Sequence, residues 1–126
     1  MKAYKTNIEE ETLNNEYYRK VLSTEKQMQL VVMSLKPEED IPEEVHEGTN
    51  QFIRIESGEA RVIVEGEEFS LKDNDIIIIP TGKKHYVKNT SEEKDLKLYS
   101  IYAPPEHPEG TIHKTKEEAD SAEHSH

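Results

Sequence analysis

Ile76-Ile77-Ile78-Ile79-Pro80-Thr81-Gly82-Lys83-Lys84-His85 is the stretch whose reading settles the architecture. Four β-branched residues in a row are too few for a helix and favour an extended chain, so the run predicts a strand buried on both faces. Pro80 stops that strand and Gly82 gives the backbone freedom for a turn, which delivers a single histidine, His85, ahead of Asn89. Upstream, Glu44, His46 and Gln51 cluster before Gly58. Two separated segments therefore each supply groups able to hold a metal.

Turn signals recur at short intervals on either side: Gly48-Thr49-Asn50, Ser57-Gly58, Glu65-Gly66, Asp73-Asn74 and Thr81-Gly82. Short β-rich runs between such punctuation predict an all-β barrel or sandwich. Residues 27–35 are apolar on both strand faces and are expected to be covered on both. Residues 51–56 and 60–65 are expected to pair across Gly58, with Glu65-Gly66 a tight hairpin turn into 67–71. A last strand falls at 96–102. Thr6 and Glu9 have capping-box spacing in an acidic arm, and Thr115-Lys116-Glu117-Glu118 repeats the pattern, predicting a short helix over 116–123. The expected organisation is an N-terminal arm over 1–26, a barrel over 27–104 and a tail over 105–126, partly helical or disordered.

The two histidine-bearing segments resemble the paired signature motifs of the cupin superfamily. In the first, His46, Gln51 and Gly58 fall at the motif's spacing, with Glu44 where a histidine is usual and Gln51 where a glutamate is usual. In the second, Asp75, Pro80, Gly82, His85 and Asn89 match, and Asn74 stands at the usual glycine. The segments 101–108 and 111–116 are similar to the carboxyl end of small single-domain cupins of the mannose-6-phosphate isomerase-like group. The resemblance implies a jelly-roll or double-stranded β-helix barrel with a metal in its mouth. It also implies an isomerase-like activity on a small sugar-like substrate, and a homodimer, with Phe52 and Ile41 as outward residues awaiting cover.

Composition narrows the partners. A chain of 126 residues is expected to form one domain, so any site lies within this unit or between copies of it. Sixteen Lys and Arg against 27 Asp and Glu leave a formal charge of −11 with no basic stripe, which argues against nucleic acid and anionic membrane as partners. No apolar window reaches the length of a membrane span and the first residues lack the apolar core of a signal peptide, so a cytoplasmic location is expected. With no cysteine, a metal must be held by nitrogen and oxygen.

Residues 44 and 46 share one face of a strand because side chains alternate with period two. If that face is interior, Glu44 and His46 converge, Gln51 enters from a neighbouring strand and His85 arrives from the second motif. Two imidazoles, a carboxylate and an amide oxygen suit a divalent zinc, iron, manganese, nickel or copper ion and leave positions open for a small-molecule substrate. Gln51 is the weaker donor and is expected to bind loosely or to act from outside the ligand set. Glu44, when not a ligand, is the candidate catalytic general base. An iron-dependent dioxygenase and a non-enzymatic barrel binding a small ligand such as a sugar are the alternative functions. Tyr86 should face away from the site, only one of Tyr99 and Tyr102 can line it, and Arg54 should point outward. His107 and His113 are expected at the surface unless the tail folds over the mouth, and His124-Ser125-His126 forms a separate, adventitious metal binder.

Overall fold

The computed structural model describes residues 2–124, with side chains described for 2–122. The described residues are mostly β, with ten strands and a short helix on either side of them. Helix α1 (Ile8–Asn14) precedes β1 (Arg19–Thr24), β2 (Gln29–Leu35), β3 (Asp40–Glu44), β4 (Asn50–Ser57) and β5 (Glu59–Val64). Then come β6 (Glu67–Lys72), β7 (Ile76–Ile79), β8 (His85–Asn89), β9 (Leu96–Ala103), β10 (Ile112–His113) and α2 (Lys116–His124). Two antiparallel sheets face one another, one in the order β10-β1-β2-β9-β4-β7 and the other β3-β8-β5-β6. Their inner faces supply the core, including Val31, Met33, Leu35, Ile53, Ile55, Val62, Val87, Leu96 and Leu98. This is the all-β sandwich the strand and turn pattern predicts, in the jelly-roll form the cupin resemblance implies.

Several local expectations are corrected by the topology. Strands β4 and β5 do not pair across Gly58: β4 pairs with β7 and β9, while β5 pairs with β6 and β8 in the other sheet. Gly58 is instead the corner at which the chain changes sheets. Its φ is +115°, and a Cβ there would stand 2.9 Å from the Asp95 carbonyl oxygen, a space and conformation only glycine fits. The isoleucine run is not buried on both faces either. β7 is the edge of its sheet, so Ile77 and Ile79 turn inward while Ile76 and Ile78 stay 48% and 62% exposed. Ile41 lies in the core rather than outside it.

Other readings of the sequence hold at the level of single residues. Glu65 and Gly66 have φ of 49° and 84°, the left-handed pair a two-residue hairpin needs, and they join β5 to β6. Asn74, at the usual glycine of the second motif, has φ 74°, a region asparagine enters more readily than other side-chain-bearing residues. Both faces of β2 are covered, the outer one with help from α1, which packs on β2, β4 and β9. The first helix is capped one residue later than expected, by Asn7, whose Oδ1 accepts from the Glu10 amide at 3.0 Å. In the second, Thr115 Oγ1 accepts from the Glu118 amide at 3.1 Å, as the capping pattern predicts.

The ends of the chain are more involved than the arm and tail of the sequence reading suggest. Arg19–Thr24, placed in the arm, forms β1 inside the larger sheet, and β10 from the tail pairs with it. Helix α2 then docks through buried Ala119, with Lys116 Nζ bridging Asp40 and Asp120 at 3.4 and 2.8 Å. The side chains of His124-Ser125-His126 lie outside the described residues.

Candidate metal centre

The two sheets place the candidate ligands between them. Glu44 ends β3 and stands directly opposite His85, the first residue of β8. His46 follows two residues after Glu44, in a loop pinned to the turn after β7: the Gly82 amide and the Thr81 hydroxyl both donate to the His46 carbonyl, at 3.0 and 3.2 Å. The Pro80-Thr81-Gly82 turn thus both aims the strand that begins with His85 and anchors the loop that carries His46. Gln51, on β4, stands opposite Tyr102 on β9. Possible ligand atoms of Glu44, His46 and His85 all lie within 4.8 Å of one another, and the two imidazole centroids are 4.9 Å apart.

Hydrogen bonding fixes which nitrogens are available. His46 Nδ1 lies 2.9 Å from Glu106 Oε1 and His85 Nδ1 lies 3.0 Å from the Lys83 carbonyl oxygen. An ionised carboxylate and a carbonyl only accept, so each Nδ1 carries the hydrogen. Each neutral ring then turns a bare Nε2 lone pair inward, and both Nε2 atoms are buried with no hydrogen-bond partner. Such orphaned acceptors are rare in folded proteins. A backing carboxylate or carbonyl on the far nitrogen is the arrangement by which metal-binding histidines are oriented.

The electrostatics keep the rings neutral. Burial first, then His85 and Arg19, lower the His46 pKa to about 4. The Glu106 carboxylate at Nδ1 pulls the other way and is outweighed. Burial likewise lowers His85, against the opposing pull of the Lys83 carbonyl. Gln51 donates from Nε2 to Ser100 Oγ and to the Tyr102 hydroxyl, each at 3.2 Å. Its buried Oε1 has no partner, so the acceptor atom of this amide is the one left to a ligand. Burial pushes the Tyr102 phenol well above its ordinary range, so its hydroxyl keeps its proton and can donate.

The residues weighed from sequence separate cleanly. Glu44, His46 and His85 come together, and Gln51 contributes an uncommitted oxygen from the opposite sheet. Tyr102 faces the interior, its ring 5.7 Å from that of His46. Tyr99 lies on the other face, 6.3 Å from Phe52. Tyr86 turns away and donates to Asp40 at 2.7 Å, and Arg54 reaches Asn74 and Glu56 on the face of β4 opposite to Gln51. The tail does fold over the site. His107 packs edge-on against Tyr102, and His113 Nδ1 lies 3.0 Å from an Arg19 nitrogen. Buried Gln29 clamps this strap, accepting at Oε1 from the Glu106 and His107 amides and donating to the His107 carbonyl at 2.7 Å. Sequence reasoning missed Glu106 and Arg19. No periodicity links Glu106 to His46 across a proline-broken loop, and Arg19 fell in the presumed arm.

Against known proteins, the family model of the cupin domain matches residues 31–102. The chain belongs to that family. It is 45% identical over 113 residues to the uncharacterized protein L612 of Acanthamoeba polyphaga mimivirus, covering 87% of this chain and 71% of that protein. It is 42% identical to the uncharacterized protein YrkC of Bacillus subtilis (strain 168), covering 97% of this chain and 68% of that protein. The crystal structure of BH2720 from Bacillus halodurans superposes with a TM-score of 0.92 at 40% identity, covering 95% of each chain.

Proposed function

We propose that this cupin binds a divalent transition metal through Glu44, His46 and His85, with Gln51 Oε1 beside them, and uses it on a small polar molecule. The observation that carries the reading is the pair of buried, partnerless Nε2 atoms, each on a ring held from behind at Nδ1. Bound there, the ion would supply Lewis-acid activation of a substrate oxygen, or dioxygen chemistry were it iron.

The chain's own groups have complementary work. Glu106 and the Lys83 carbonyl hold the two imidazoles in one tautomer and orientation. Glu44 supplies the one carboxylate of the ligand set; were it displaced from the ion, it would be the nearest general base. Tyr102 offers a proton-bearing hydroxyl to a bound oxygen, while the strap from Glu106 to His113 limits water. An isomerase acting on a sugar phosphate is the less favoured form of this reading. Glu44 and Glu106 both flank His46, and a phosphate dianion would be repelled by them.

Elemental analysis of the purified full chain tests the proposal, beside a His46→Ala, His85→Ala double variant and a His124→Ser, His126→Ser control. A near-stoichiometric transition metal in the wild type and the control, lost in the double variant, supports the site, and its identity separates redox from Lewis-acid chemistry. Absence of metal after reconstitution leaves a small-ligand barrel as the better reading.

A further inference from the structure

Among the described residues, Arg19 is the one lysine or arginine buried in this interior. It starts β1, shares the inward face with Val21, and is 2% exposed. Taking a guanidinium out of water is costly unless a countercharge compensates. Among the described residues no carboxylate lies within ion-pair distance of it. An Nη1 atom meets His113 Nδ1 at 3.0 Å, the guanidinium sits 5.4 Å from the centroid of the Tyr18 ring, and Nε is buried without a partner. Arginine has only donors, so His113 Nδ1 accepts that bond and carries no proton there. A neutral imidazole and an aromatic face soften the burial but bring no negative charge. The positive charge is felt across the site, at His46, His107 and Tyr102.

We propose that Arg19 is the anion-binding residue of this site, and that the small molecule taken up beside the metal carries one carboxylate, seated on the Arg19 guanidinium. Charge selects the monoanion. Glu44 and Glu106 together offset a divalent ion, which leaves the single charge of Arg19 to be matched. The planar guanidinium fork fits a carboxylate, and among the described residues no second lysine or arginine is buried beside it to match a phosphate dianion. The proposal shares the interior with the metal reading, and its test has an arm that does not need the metal.

The test compares glycolate with glycolamide, which differ by one charge at nearly the same shape, by calorimetric titration of zinc-loaded and of chelator-stripped full-length protein. The wild type is expected to prefer glycolate at least tenfold when loaded, and less when stripped, because Glu44 and Glu106 are then no longer offset. Arg19→Gln should lower the glycolate-to-glycolamide affinity ratio at least threefold in both forms while retaining zinc, and Arg19→Lys should restore part of it. A ratio that falls on Arg19→Gln in the stripped protein supports the anion site even if zinc is not retained. A ratio in the stripped protein that Arg19→Gln leaves unchanged overturns the proposal without recourse to the metal. So does an undiminished preference in zinc-loaded Arg19→Gln, which would assign the discrimination to the metal. Inorganic phosphate displacing glycolate at lower concentration would overturn the carboxylate assignment.

Discussion

Acid should loosen the strap over the site through His107, and the effect can be isolated. Burial, reinforced by Arg19, His46 and His113, lowers the His107 pKa to about 3, against about 6.5 in an unfolded chain. A histidine depressed in this way costs nothing where both states are neutral, above the unfolded value. As pH falls through 6.5 the unfolded chain takes up the proton first, and stability is lost progressively down to the folded value. Between pH 7.5 and pH 5 the full shift corresponds to about 2 kcal/mol. Because the ring retains some solvent access, about 1 kcal/mol is the better expectation. The backbone of His107 is clamped by Gln29 whatever its side chain, so His107→Gln removes the titration and keeps the clamp. Urea unfolding in chelator at the two pH values should show the wild type losing about 1 kcal/mol more than the variant. Carboxylates elsewhere titrate alike in both proteins and cancel. Equal losses would mean that the ring reaches water freely, and a smaller loss in the wild type would mean that it is held protonated; either refutes a neutral, buried His107.

Other consequences are separately measurable. Asn89 is fully buried, donating to the Leu35, Lys36 and Lys94 carbonyls and accepting from the Ser91 amide, so Asn89→Ala should cost about 3 kcal/mol or more in urea unfolding; a loss under 1 kcal/mol would contradict its role at that corner. Gly58→Ala should destabilise by about 2 kcal/mol, read as a lower midpoint at unchanged slope, and an unaltered midpoint would show that the sheet-changing corner relaxes freely. Glu106→Ala should weaken metal binding about tenfold in competition with a chelating dye; unchanged affinity would remove Glu106 from the support of His46. Ile53→Ala should cost about 2–5 kcal/mol while Ile78→Ala stays within about 0.5 kcal/mol, and similar losses would contradict the edge position of β7.

How much was legible depends on the range of the interaction. The Glu65-Gly66 hairpin, the stop at Pro80 and the capping of α2 are local. Backbone dihedrals and capping bonds act over a few residues, so residue type at fixed spacing determines them. Glu44 and His46, by contrast, do not share a strand face as expected: β3 ends at Glu44, and His46 is aimed by a loop pinned to the Thr81-Gly82 turn. The motif frame adds His85 and Gln51, because their spacing within the two signature segments carries the resemblance. The sheet to which each strand belongs was not legible. A run of isoleucines looks the same at an edge and in a centre, and nothing in residues 51–65 says that the chain turns a corner at Gly58 rather than a hairpin.

The sequence by itself therefore determined an all-β barrel bearing two histidines and a carboxylate with metal-binding character. Tertiary structure alone decided that Glu106 stands behind His46, that Gln51 keeps its oxygen free, and that Arg19 is buried within reach of His113. Those contacts join residues 60, 51 and 94 positions apart. Burial and charge pairing are set by which surfaces the closed barrel brings together, and no periodicity along the chain encodes that.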